Sequence, residues 1–154
     1  MIKKIIHSTF EDSRGSFTSF NSKFNNQEWD QISVVVNSNK YTFRGLHYQT
    51  DPPQTKCLKI IKGKVLDILV DLKTKEVFEF ELDNTEILYI PNNYAHGYLT
   101  LEEDTIVTYL VEGVYNPTSE HSIVWNTIPQ VRDIVNNQLQ SCKLYISEKD
   151  EMGK

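Results

Sequence analysis

Six short runs of β-branched and aromatic residues, set off by turn formers, constrain this chain more than any other feature. They are Ile32–Val36, Lys56–Ile61, Val65–Val70, Val77–Leu82, Ile87–Ile90 and Thr105–Leu110. The punctuation is Asp51-Pro52-Pro53, Lys62-Gly63-Lys64, Asp83-Asn84, Pro91-Asn92-Asn93 and Asn116-Pro117. Runs this short cannot be helices, and strands spaced this closely indicate an all-β sandwich or barrel. Val77–Leu82 alternates, with Val77, Glu79 and Glu81 on one face and Phe78, Phe80 and Leu82 on the other, so that strand has one wet face. Helical signal is confined to the end, where Ile128–Asn137 predicts one or two turns with Pro129 at an early, tolerated position. With 154 residues and no repeat, linker or low-complexity tract, one domain over 1–154 is expected.

Gly63 reads as a hairpin turn between two buried strands. Pro91–Gly97 reads as a loop that carries His96 at its end into the next strand. A glycine turn and a proline loop leading to a histidine are what a jelly-roll barrel presents. The predicted fold is therefore a cupin-type, double-stranded β-helix barrel with short C-terminal helical turns and room inside for a ligand.

The net charge of −5 argues against nucleic acid or an anionic membrane surface as partner, since both call for a basic field. No segment has the length of a bilayer span, and the start lacks the apolar run of a signal peptide. Cys57 and Cys142 form no Cys-x-x-Cys pair, and Cys57 reads as a small core residue. A reducing cytoplasm fits best.

Phe43-Arg44-Gly45-Leu46-His47-Tyr48-Gln49 places a permanent, forked cation near the side chain best suited to moving protons at neutral pH. That pairing suits acid–base work on an anionic substrate. Arg44 and His47 are an odd number of positions apart, so a regular strand would point them to opposite faces. For both to line one pocket the strand must bulge, and Gly45 is the place for it. Lys56 shares the parity of Leu58 and Ile60 and points inward. There it either meets an anion or snorkels to the rim. His47 with a distant His96 supplies too few imidazoles for a transition-metal site, so no metal and no cofactor are expected. His7 and His121 read as exposed and without a role. Among eight tyrosines, composition alone does not single out Tyr109 or Tyr115.

Taken in order, these motifs resemble the dTDP-4-dehydrorhamnose 3,5-epimerase family. The matching pieces are Asp12–Phe17, Phe43–Gln49, Gln54-Thr55-Lys56, Val65–Leu72, Tyr89-Ile90-Pro91 with Ala95-His96-Gly97, Tyr109, Tyr115-Asn116-Pro117, Trp125-Asn126 and Ile146–Asp150. The resemblance implies an isomerase that inverts C3, C5 or both in a nucleotide-linked 4-keto-6-deoxy sugar through an enolate. Such a step belongs to deoxysugar and surface-polysaccharide synthesis. It implies His47 as general base, Asp150 as the carboxylate orienting it, Tyr109 as the acid on the opposite face and Lys56 as a cation near the sugar oxygens. Arg44, His96, Tyr115 and Gln49 would contact substrate, and Arg14 and Phe17 the nucleotide. A homodimer that exchanges N-terminal strands is implied as well. The chain departs from the family pattern at Leu110 after the catalytic-type tyrosine and at Ser19 after the Arg-Gly-x-Phe segment, and its end after Trp125 is short. Alternatives are a 3- or 5-epimerase, a 3,4-ketoisomerase, or a non-catalytic cupin that binds nucleotide sugars.

Overall fold

The computed structural model describes residues 1–6, 9–12, 15–18 and 28–153, with side chains described for 1–4 and from 28 onward. Arg14, Ser19 and His7 lie outside these residues, as does the side chain of Phe17. Thirteen strands are described: β1 (Lys3–Ile6), β2 (Thr9–Asp12), β3 (Gly15–Thr18), β4 (Gln31–Asn37), β5 (Thr42–Gln49), β6 (Thr55–Lys62), β7 (Val65–Asp71), β8 (Val77–Leu82), β9 (Glu86–Ile90), β10 (Tyr94–Thr100), β11 (Thr105–Glu112), β12 (Glu120–Ser122) and β13 (Tyr145–Ile146). Two helices follow the barrel strands, α1 (Pro129–Leu139) and α2 (Glu148–Met152), with β13 between them.

Two antiparallel sheets make the barrel walls. One runs β1-β9-β6-β11-β4, the other β12-β5-β10-β7-β8, with β13 joining β5 in parallel. The hairpin β2-β3 is a sheet of its own. Between the walls lies an apolar cluster that includes Leu58, Ile60, Val65, Leu69, Leu88, Ile90 and Val107. The outer face of the second sheet is buried too, because α1 sets Val131, Val135 and Leu139 against Phe43, Leu66, Ile68, Val70 and Leu99. Covering both faces explains why β7 is a nearly continuous apolar run instead of an alternating one.

Three expectations change. Gly63 is not a hairpin turn: β6 and β7 pair with other strands and belong to different walls, so this turn is a corner between sheets. A side chain there would meet the Thr105 side chain, at a positive φ of 86° that favours glycine. His96 lies within strand β10, not in a loop leading to it. Helix α1 has eleven residues, three turns instead of one or two, with Pro129 in its first turn as expected. Its apolar residues at 131, 135 and 139 recur every four positions, which extends the packed face to the end.

Candidate active site

The bulge expected at Gly45 is present. In the β5–β10 ladder His96 faces His47 while Tyr98 faces Arg44, so three steps on one strand match two on the other. The extra residue restores parity, and Arg44 and His47 both line one cavity. Only glycine fits here. At φ 128° a Cβ on Gly45 would stand 2.5 Å from the Cα of Gly97. The bulge also turns the Gly45 N–H out of the ladder to donate to Asp150 Oδ2 at 3.1 Å.

Asp150 reaches that point because Ser147 starts α2. The Ser147 hydroxyl accepts from the Asp150 N–H at 3.2 Å, capping the first turn and fixing the direction of the carboxylate. Asp150 Oδ1 lies 2.5 Å from His47 Nε2. An ionised carboxylate only accepts hydrogen bonds, so Nε2 carries the proton and the neutral ring keeps its lone pair on Nδ1. Burial by itself would raise the Asp150 carboxyl. The hydrogen bond and charge of His47, the Gly45 N–H and the Lys149 charge outweigh it and hold the carboxyl below its ordinary value.

The cavity, of about 280 Å³, lies between the walls. From the second sheet come Arg44, His47 and His96, and from the first Gln31, Ser33, Lys56 and Tyr109, with Tyr115 and Asp150 at its edge. Lys56 is half-buried; burial lowers its ammonium pKa, opposed by the charges of Glu120 and Asp67. Burial pushes the Tyr109 phenol well above its ordinary range, helped by the charges of Tyr98 and Asp67. His96 is buried, with Nε2 2.7 Å from Asp67 Oδ2, so its ring is fixed by its own carboxylate. The His96 and Tyr109 rings meet edge to face at a centroid distance of 5.9 Å.

Gln49 is a correction. It is buried outside the cavity, its amide donating to the Pro52 and Val114 carbonyls at 2.7 and 3.0 Å and accepting from the Asn116 N–H at 2.9 Å. Both amide donors and one acceptor site go to tying two loops together, so Gln49 holds the rim and does not line the cavity. His121 is exposed and stacks on Tyr48.

Several polar groups of the site were not singled out from sequence. Asp67 sits in an apolar run and is fully buried, with Oδ1 lacking a hydrogen-bond partner. An acid inside such a run is itself a signal, since burying a charge needs a partner. Glu120 accepts from Lys149 Nζ at 2.9 Å and from the Tyr115 hydroxyl at 3.2 Å, linking α2 to the cavity rim. Burial raises its carboxyl, and the hydrogen bonds and charges of Lys149, Tyr115 and His47 bring it below the ordinary value. Asn37 and Tyr98 join Arg44: Arg44 Nε donates to Asn37 Oδ1 at 2.7 Å, and Tyr98 Oη is 3.2 Å from Asn37 Nδ2.

A jelly-roll barrel with a carboxylate-bound histidine on one wall and a phenol on the other has the architecture of a cupin-type isomerase. Residues 2–154 match the family described as dTDP-4-dehydrorhamnose 3,5-epimerase, and the chain belongs to that family. Relatives of that name include one from Escherichia coli (strain K12), 33% identical over 156 residues that cover 92% of this chain and 82% of the relative. Another, from Neisseria gonorrhoeae, is 32% identical over 99% of this chain, which spans about half (49%) of that relative's length. Among solved structures, dTDP-4-dehydrorhamnose 3,5-epimerase from Bacillus anthracis str. Ames, with TDP and PPi bound, superposes with a TM-score of 0.82. It is 28% identical and covers 99% of this chain and 93% of its own.

Proposed function

We propose that this chain epimerises a nucleotide-linked 4-keto-6-deoxy sugar at C3, C5 or both, with His47 as base and Tyr109 as acid. What carries this reading is that both side chains line one cavity but come from opposite walls, β5 and β11. Inversion requires a proton to leave one face of a ring and return to the other. His47 Nδ1 takes the hydrogen beside the keto group, and its electron pair moves into the enolate. Asp150 stabilises the imidazolium. Lys56 and Arg44 supply positive charge for the enolate and phosphate oxygens, an electrostatic contribution that counts most away from water. Tyr109 then delivers its proton from the other wall. The substrate's ketone is the electron sink, so no metal or redox group is needed, and none of these steps uses one.

The decisive experiment follows deuterium entry at C3 and C5 of dTDP-4-keto-6-deoxyglucose in heavy water, together with product stereochemistry. Wild-type protein is expected to incorporate deuterium with inversion, and His47→Ala to lose at least 100-fold of the rate. Exchange at neither carbon, or an unchanged rate in His47→Ala, sinks the proposal and favours a cupin that only binds. Deuterium at one carbon alone identifies a single-site epimerase.

A homodimer exchanging N-terminal strands, active in the cytoplasm, completes the proposal. No helix among the described residues is long and apolar enough to cross a membrane. What supports a second copy is β4, the last strand in its sheet. Its inner-facing Gln31, Ser33 and Val35 line the cavity, while Ile32, Val34 and Val36 are 68%, 65% and 60% exposed. An apolar stripe on a strand at a sheet edge invites pairing. Sedimentation should give a dimer, and Val34→Glu should shift it to monomer; a wild-type monomer at micromolar concentration refutes this part.

A further inference from the structure

We propose that Asn37 is a positioning residue for substrate binding: it holds Arg44 by Nε and so leaves the two Nη groups to grip the diphosphate of the nucleotide sugar. This rests on the nucleotide-linked substrate put forward above, with Arg44 as its phosphate contact.

Asn37 ends β4 in the first sheet, and its side chain bonds to residues of the second. It is 2% exposed, and an amide buried that far is costly unless its polar atoms are matched. Three residues match them. Nδ2 donates to the Thr105 carbonyl at 3.1 Å and lies 3.2 Å from Tyr98 Oη, while Oδ1 accepts from Arg44 Nε at 2.7 Å. A carbonyl only accepts and a guanidinium only donates, so the amide has one possible orientation. Its oxygen is committed to Arg44. Tyr98, opposite Arg44 in the β5–β10 ladder and fully buried, supports the amide from the core side.

The acceptor that holds Arg44 is neutral. Among the described residues no carboxylate forms an ion pair with this guanidinium, although it lines the cavity. A carboxylate at position 37 would hold the same Nε–H but would cancel the charge. An amide holds it and leaves the charge for an anion. Of the five N–H donors, the four on Nη1 and Nη2 then remain, and the end-on pair forms a fork suited to two phosphate oxygens. A guanidinium held in advance also has less freedom to lose when the anion arrives. Depth separates the two cations of the cavity. Lys56 is half-buried and Arg44 exposed, so the lysine suits the ring oxygens and the arginine the diphosphate that leads out to the nucleoside.

The test uses dTDP and inorganic pyrophosphate, whose binding requires no turnover and, for pyrophosphate, no particular base. By calorimetry, Asn37→Ala should weaken each about 10-fold and Arg44→Ala at least as much. The double variant should bind no more weakly than Arg44→Ala, since Asn37 acts only through Arg44. In proton exchange on dTDP-4-keto-6-deoxyglucose, Asn37→Ala should raise KM about 10-fold and keep kcat within about 3-fold. Unchanged affinity in Asn37→Ala, additive losses in the double variant, or a fall in kcat at constant KM would overturn the assignment and make Asn37 a structural tie. Wild-type protein that binds neither probe, or Arg44→Ala that binds both as tightly as wild type, refutes Arg44 as the phosphate contact and takes the role of Asn37 with it. Should Asn37→Ala fail to fold, NMR of the arginine Nε–H groups in wild type decides the point. The Arg44 Nε–H, assigned by its absence from Arg44→Ala, should exchange slowly with water before and after pyrophosphate binds; fast exchange in the free protein overturns the proposal. Failure of the epimerase reading would show separately, as absent deuterium entry with the pyrophosphate results unchanged.

Discussion

Replacing Asp150 with asparagine probes the centre of the site with almost no change of shape. The carboxylate uses both oxygens, Oδ1 against His47 Nε2 at 2.5 Å and Oδ2 against the Gly45 N–H at 3.1 Å. Asparagine has one acceptor and one donor in their place. If its oxygen faces Gly45, its NH2 confronts the ring and drives the imidazole proton to Nδ1, blocking the lone pair the base needs. If its oxygen faces the ring, the NH2 opposes the Gly45 N–H, and the imidazolium formed on proton abstraction has lost its countercharge. Either way a charge-assisted hydrogen bond is lost, worth about 1.5–3 kcal/mol. Since about 1.4 kcal/mol is tenfold in rate, deuterium entry should fall about 10- to 150-fold. His47 is 27% exposed, so screening by water favours the lower half of that range. Stability carries a second signature. Asp150 is held below its ordinary value, so the folded state gains stability from it above that value and loses it as pH falls through the folded pKa. Wild type should therefore melt higher than Asp150→Asn at pH 7, with the gap closing as pH drops below about 4. Exchange within threefold of wild type, or a melting gap independent of pH down to 2, would show that the His47–Asp150 pair is not what drives the chemistry.

Other parts of the structure can be tested as directly. Gly45→Ala puts a methyl 2.5 Å from the Gly97 Cα at a φ of 128°, so the denaturation midpoint should show a loss of at least about 3 kcal/mol, and a silent change would refute the close packing of β5 on β10. Burial pushes the Cys57 thiol up to about 12, whereas Cys142 is exposed, so a thiol reagent at pH 8 should label one cysteine per native chain and two per denatured chain. Lys56→Met should raise KM and lower kcat in proton exchange without lowering the melting temperature, since burial already disfavours the ammonium when no anion is bound. Gln49→Ala should instead lower the melting temperature by several degrees, since it unties the Pro52, Val114 and Asn116 backbones.

Parity and turn chemistry made much of this fold legible in the sequence, and each failed at a recognisable point. The odd spacing of Arg44 and His47 with a glycine between them predicts a bulge, and the ladder has one there. The parity of Lys56 with Leu58 and Ile60 predicts an inward lysine, and it lines the cavity. Gly63 shows the limit. A glycine between two apolar runs specifies a reversal of the chain, but whether the next strand pairs with the last or crosses to the other wall depends on β9, β10 and β11, which come later. Gln49 shows another: inside a motif rich in functional residue types, its backbone partners lie up to 67 positions away, and only the fold shows that they occupy its amide.

The same limit accounts for the polar groups that went unread. Asp67 becomes meaningful only when β10 brings His96 beside it, 29 residues on, and Asn37 only when Tyr98 arrives 61 residues later. A strand's own sequence says which face a residue takes, but not which charge or hydroxyl will stand opposite. In this barrel the division has a chemical result. The His47–Asp150 and His96–Asp67 pairs both belong to the second sheet and its adjoining α2, while Tyr109 stands alone on the first. One wall can stabilise positive charge with carboxylates. The other must stabilise negative charge and, among the described residues lining the cavity, has Lys56 as its one charged donor. Two walls with opposite demands suit a reaction that lifts a proton from one face of a ring and sets one down on the other. They also place the weaker side at Tyr109.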